Sequence, residues 1–217
     1  MTSFESILRQ GDDFIASLRG RRRPRVFIIS GPSGVGKDAV IERLKESEVD
    51  THFAITATTR EPRKGEEHGL HYFFISHETF TEWIALEKML EHAWVYTNLY
   101  GVPREPVEQA LRRGQDVIIK VDVQGAAAIK AIWPSATAIF LTPESMETLY
   151  ARLSARKTDD PEALARRFAE AGSELERAAE FDYIVFNETN GILRAVDEIR
   201  SILLAERART IQPTIDF

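Results

Sequence analysis

The 217-residue sequence contains no cysteine, which excludes disulfides, thiolate nucleophiles and Cys-ligated zinc. Long apolar runs are also missing. The longest uncharged stretch, Ala131 to Pro143, is too short to span a bilayer and is broken by Pro134. The opening residues carry Glu5, Asp12 and Asp13 and no continuous apolar block, so a secretory signal is not expected and a cytosolic protein is. No internal repeat and no low-complexity tract is evident. Positive charge is the scarcer sign: 28 Lys+Arg stand against 34 Asp+Glu, a net −6 that speaks against a dedicated nucleic-acid coat. The remaining composition, 43% hydrophobic and 29% charged, is that of a globular chain. Its length lets it bury a core without a disulfide or metal staple.

Hydrophobic patterning organises the chain. Phe4, Ile7, Leu8, Phe14, Ile15 and Leu18 fall roughly on one helical face, predicting an N-terminal amphipathic helix that ends at Gly20. The basic run after it, Arg21, Arg22, Arg23 and Arg25 around Pro24, reads either as a solvated linker or as a contact for an anionic partner. Val26–Ile29 is a short apolar run of the kind buried on both faces of a sheet, and Val117–Val121, Ala136–Leu141 and Tyr183–Phe186 resemble it. Helical patterns separate them, over about Lys37–Glu48, Arg104–Arg113, Gln124–Ile132, Ser145–Arg156, Pro161–Ala179 and Gly191–Arg209. This alternation predicts βαβ units and a mostly parallel sheet. From Phe53 to Tyr100 the pattern turns strand-rich, with strands expected at Ala54–Thr59, Tyr72–Ile75 and Met89–Tyr96 and one helix at about Glu78–Glu87. That stretch reads as an inserted β-rich subdomain. Arg156–Pro161 reads as a second, loop-like insertion.

Gly31-Pro32-Ser33-Gly34-Val35-Gly36-Lys37 lies where a phosphate-binding loop must lie, between a buried strand and a helix. Glycines let backbone N–H groups converge on phosphate oxygens, the helix N-terminus adds a positive dipole end, and Lys37 reaches the β- and γ-phosphates. The next position normally carries a hydroxyl for Mg²⁺, but here it is Asp38. Its carboxylate is either a hard-oxygen ligand for the metal or an acid favouring the first helical turn. Asp122 closes an apolar strand, matching the second acidic position near Mg²⁺ in phosphate-loop proteins.

With these residues placed, the chain resembles the guanylate kinase family, which moves the γ-phosphoryl group of ATP to GMP. The motifs are GPSGVGK at 31–37, TATTREPRKGE at 56–66, HYFFIS at 71–76, FTEWIALEKMLEHA at 80–93, NLYG at 98–101, VDVQGA at 121–126 and RLSARKTDD at 152–160. The resemblance implies a three-layer α/β phosphate-loop kinase core over 24–52 and 103–209, with a lid at about 152–168. A GMP-binding insertion would occupy 53–102, flanked by an N-terminal helix and linker at 1–23 and a tail at 210–217. Gly31 to Gly36, Lys37, Asp38 and Asn187 would bind ATP. Thr56, Arg60, Arg63, Tyr72 and Tyr100 would hold the GMP phosphate, since arginine forks and tyrosine hydroxyls suit phosphate oxygens. Glu91 would accept the N1–H and 2-amino donors of guanine. Lys37, Asp122, Arg152, Arg156 and Arg167 would serve transfer itself, with Mg²⁺ near Asp38 and Asp122. ATP and GMP are the expected partners, with no nucleic acid or membrane, and monomer and homodimer both stay open.

Two positions depart from the family pattern. Val102 stands where a base-reading hydroxyl is usual, and Lys120 where an acid is usual. Lys120 and Asp122 share one strand face, so Lys120 is expected either to donate to guanine O6 or to neutralise Asp38. These departures keep another phosphate-loop kinase, acting on a different nucleoside monophosphate or a phosphosugar, as an alternative. A non-catalytic binding module is the other alternative. The five histidines, His52, His68, His71, His77 and His92, fall at the β-rich stretch; His68 and His71 have a spacing that metal ligands can share, but no second pair or carboxylate partner stands at ligand spacing.

Overall fold

A computed structural model describes residues 4–20, 23–48, 50–95, 97–155 and 161–210. Strand β1 (Val26–Ser30) is buried along its whole length, as its unbroken apolar run requires, and forms the centre of a five-stranded sheet. On one side lie β7 (Val117–Lys120) and then β2 (His52–Phe53); on the other lie β8 (Thr137–Thr142) and then β9 (Tyr183–Phe186). Every pairing in this sheet is parallel.

The two-residue period of the strands builds two cores. Val26, Ile28, Val117 and Ile119 face one side and pack against α4 (Arg104–Arg112) and α5 (Val123–Ile132) through Leu111 and Ile129. Phe27, Ile29, Ile118 and Ile139 face the other and pack against α2 (Lys37–Ser47) and α8 (Ile192–Arg207) through Leu44 and Ile199. The result is the expected three-layer α/β core with a parallel sheet.

A second sheet has the order β4 (Phe73–Phe74), β3 (Ala57–Thr58), β6 (Asn98–Pro103), β5 (Met89–Val95). Its small core sets Ala57, Met89 and Leu99 around Phe80 of α3 (His77–Ala85). Two features differ from the sequence-based expectation. Of the strand expected at Ala54–Thr59 only Ala57–Thr58 forms, as β3 of the second sheet, while β2 ends just before that span and joins the main sheet. Strand β6 was not expected, because Gly101 and Pro103 argue against a strand; pairing with β5 overrides that weak local preference.

Helices α6 (Met146–Ser154) and α7 (Pro161–Glu176) meet through Leu149, Leu153 and Ala171. The expected lid lies across them. Its residues 156–160, Arg156 included, lie outside the described residues, as do Arg21, Arg22 and 211–217. Helix α1 (Phe4–Arg19) forms as expected, with Phe4, Ile7, Leu8, Phe14, Ile15 and Leu18 all exposed. At the sheet end where β1 and β7 begin, Arg25 bonds Glu206 at 3.1 Å, and Arg207 reaches Asp116 at 2.6 Å and Glu48 at 2.9 Å. Among the described residues no helix is long and apolar enough to cross a membrane.

Candidate active site

The opposite end of the main sheet carries a cleft of about 710 Å³. Its floor is the turn from β1 into α2, where Gly31, Gly34 and Gly36 hold φ of 139°, 87° and 101°. Those angles suit glycine. A Cβ on Gly31 would also fall 2.2 Å from the Leu141 carbonyl oxygen, and one on Gly36 2.6 Å from Asn187 Nδ2. The turn is braced from outside the cleft. Asn187 Nδ2 donates to the Val35 carbonyl at 2.7 Å, while Arg152 donates to the carbonyls of Val35 at 3.2 Å and Asn187 at 2.9 Å. Lys37 Nζ donates to the Gly31 and Pro32 carbonyls. Burial lowers the Lys37 pKa, and the Glu174 and Asp38 carboxylates oppose that shift.

The wall facing this turn comes from the second sheet. Thr56, Arg60, Arg63, Tyr72 and Tyr100 line it. Tyr72 and Tyr100 meet edge to face at 6.2 Å. Arg60 donates to Glu66 through both Nη atoms, at 2.8 and 3.0 Å, and through Nε to the Tyr100 hydroxyl at 3.2 Å. Its guanidinium also lies 5.3 Å from the Tyr72 ring centroid. Burial opposes the Arg60 charge, but the Glu66 and Tyr100 hydrogen bonds outweigh it and raise the pKa.

Deeper in the cleft Glu91 on β5 is only 9% exposed. Burial, and then the nearby Asp122 carboxylate, push its carboxyl up to about 8, while a Val102 backbone hydrogen bond pulls it down. Gly125 makes room for it, since a Cβ there would sit 2.9 Å from Glu91 Oε2. Asp122 caps α5, its Oδ1 accepting from the Gly125 N–H at 2.7 Å. Val102, on the neighbouring strand, is wholly buried in the core beneath.

Lys120 ends β7 between the two walls. Its Nζ donates to Asp38 Oδ1 at 2.5 Å and to the Tyr72 hydroxyl at 3.1 Å. The pairing with Asp38 is one of the two arrangements the sequence suggested. Of the other expected residues, Pro32, Ser33, Gly34, Gly36, Lys37, Asp38, Asp122 and Arg167 line the cleft, whereas Gly31 and Val35 belong to the turn without lining it, and Asn187 and Arg152 stand behind it.

Helix α7 contributes residues that the sequence reading passed over. Arg166, Glu170 and Glu174 line the cleft beside Arg167, which donates to Ser33 Oγ at 3.1 Å. The recurrence of polar residues at 166, 167, 170 and 174 was the available signal, because that spacing keeps to one helical face.

The sequence pattern of the family described as "Guanylate kinase" matches residues 23–206. Guanylate kinase 2, chloroplastic/mitochondrial, of Oryza sativa subsp. japonica is 42% identical over 196 residues, 90% of this chain and 69% of that protein. The guanylate kinase of Symbiobacterium thermophilum is 42% identical over 187 residues, 86% of this chain and 88% of its own. The crystal structure of guanylate kinase from Anaplasma phagocytophilum superposes with a TM-score of 0.73 at 30% identity, covering 87% of this chain and 89% of that one.

Proposed function

The chain belongs to the guanylate kinase family, and we propose that its cleft residues carry out that family's reaction, ATP + GMP giving ADP + GDP, in the following roles. The glycine loop and Lys37 take the ATP polyphosphate. Backbone amides at the opening of α2 and the Lys37 ammonium offer fixed positive charge that need not reorganise during transfer. Arg60, Arg63, Tyr72, Tyr100 and Thr56 hold the GMP phosphate, and Glu91 takes the two adjacent donors of the guanine edge. Adenine lacks the N1 proton and would leave buried carboxylate capacity unpaired, at a cost of roughly 1–3 kcal/mol.

The observation that carries this reading is the cleft's polarity. A glycine loop and a caged pair of Arg60 and Tyr100 face each other across one cavity, with a buried carboxylate at its acceptor end. Two polyanions can meet there end to end. Arg167, already at Ser33, would add charge from α7. Arg152 braces the loop on which that charge acts, and Asn187 supports the same turn.

Mg²⁺ suits the donor chemistry. Asp122 lines the cleft and keeps one oxygen beyond its bond to Gly125, and Asp38 lines it beside Lys37 with its Oδ1 already accepting from Lys120, so that any share it takes in the ion is alongside that ammonium. Hard carboxylate oxygens of this kind hold Mg²⁺ together with water and substrate phosphates. When bound, the ion would offset the negative charge of the phosphates. A cytosolic setting belongs to this reading on the strength of composition.

The test is ADP release with ATP as donor across GMP, dGMP, AMP, UMP and phosphosugars. Turnover with GMP far above the others is expected. Preference for another acceptor would move the reading to a different phosphate-loop kinase, and no turnover with any of them would leave a binding module.

A further inference from the structure

We propose that Lys120 is a catalytic residue whose ammonium touches the phosphoryl group as it passes between the two nucleotides. This rests on the phosphotransfer reading above and adds to it.

Placement comes first. In the parallel register Lys120 stands opposite Ile29, two residues before the glycine loop begins. Its stem therefore leaves the sheet where the donor loop rises. The Nζ atom then ties that loop's helix to the acceptor wall, bonding Asp38 Oδ1 on one side and the Tyr72 hydroxyl on the other. It also sits 4.8 Å from the Tyr72 ring centroid. Asp38 directly follows Lys37, and Tyr72 packs on Tyr100, the hydroxyl partner of Arg60. One ammonium thus occupies the seam between the two anion sites. It is tied to the phosphate cage through Tyr72, whereas Glu91 lies beside Gly125 at the base end.

Charge and valence fit the role. Lys120 forms an ion pair with the Asp38 carboxylate and lies against the Tyr72 ring face, the surroundings of an ordinary lysine ammonium. An ammonium has three donors. Asp38 and Tyr72 take two, which leaves one for the cleft that Lys120 lines.

The chemical step balances without a proton shuttle. A phosphate oxygen of GMP attacks the γ-phosphorus of ATP and forms the new P–O bond. The bond from that phosphorus to the β-bridging oxygen breaks, and its electron pair leaves on ADP. Lys120 stays protonated throughout. Its charge offsets repulsion between the two polyanions and meets the equatorial oxygens from the acceptor side, as Lys37 meets them from the donor side. Asp38 is then a positioning residue that keeps the ammonium at the seam.

Lys120→Met and Lys120→Arg separate this role from ground-state binding. Each is measured for kcat, for equilibrium binding of GMP and of ADP, and for Tm. Removing one preorganised cation should lower kcat in Lys120→Met on the order of 10²-fold to 10³-fold. GMP and ADP dissociation constants should stay within about fivefold, and Lys120→Arg should recover at least about tenfold of the loss. If the methionine variant does not fold, Lys120→Gln replaces it, since its amide can still donate to Asp38. A kcat within about threefold of wild type overturns the proposal, as does a loss confined to GMP affinity or an arginine variant no better than methionine. The wild type serves as a separate control. An inactive wild type would count against the kinase reading, whereas an active wild type matched by Lys120→Met would count against Lys120 alone.

Discussion

The Glu174 carboxylate on α7 accepts a hydrogen bond from the Ser33 backbone N–H at 3.0 Å, inside the glycine loop. That amide is among those a polyphosphate would claim. Burial raises the Glu174 carboxyl, and the adjacent Lys37 ammonium and the Ser33 N–H draw it back down. The chain therefore sets one of its own acids where an anion belongs, and ATP must displace it. Glu174→Ala is expected to tighten ADP binding about threefold to tenfold, within the strength of one hydrogen bond to a charged group, with GMP binding unchanged. Titration calorimetry decides it: weaker ADP binding would mean that Glu174 supports the loop instead.

In the proposed role, Glu91 would tie base recognition to pH. Its folded carboxyl titrates at about 8, above the ordinary 4.5. Its contribution to stability is therefore full below 4.5 and is lost as pH climbs through 8. Reading guanine requires the ionised form. GMP binding at pH 7 should thus release a proton, and affinity should rise by up to about tenfold per pH unit toward 8 and then level off. Calorimetry in buffers of different ionisation enthalpy measures the released proton directly. Glu91→Gln should lose GMP affinity yet gain a few degrees of Tm at pH 8.5, with a smaller gain at pH 5.5.

In the proposed role, Arg60 would hold the acceptor phosphate by geometry as well as charge. Its guanidinium is held by two Glu66 oxygens and the Tyr100 hydroxyl. Lysine keeps the charge and loses the fork. Arg60→Lys should raise the KM for GMP by about 10²-fold while the KM for ATP holds. Equal changes in both constants would show that the residue acts on the whole cleft.

A buried ion-pair network closes the far end of the sheet. Asp116 accepts from the Arg25 N–H at 2.9 Å and from Arg207 Nε at 2.6 Å, so removing it strands buried donors. Asp116→Ala should cost about 3–5 kcal/mol. The corresponding fall in Tm is at least about 6 °C for a domain of this size. Because this cluster lies where β1 and β7 begin, away from the glycine loop, the variant's KM values for ATP and GMP should match wild type while it stays folded.

Local pattern alone determined the parts whose cause is local. The run Val26–Ile29 followed by Gly31 and Lys37 specified a buried strand and its phosphate loop, and the two-residue alternation of Val26 to Ile29 divided them between two cores. Strand β6 was hidden because Gly101 and Pro103 weigh against a strand, and only pairing with β5 overrides them. The contacts that organise the cleft cross long stretches of chain: Lys120 to Asp38 spans 82 positions and Ser33 to Glu174 spans 141. Arg152 likewise shows why residue type does not settle a role, since folding turned both its Nη groups onto backbone carbonyls behind the loop. Helix and strand periods are short-range properties of the backbone, readable from neighbours. Which charge meets which is settled when distant segments share a buried space, and there each must find a partner or bear the cost of losing water.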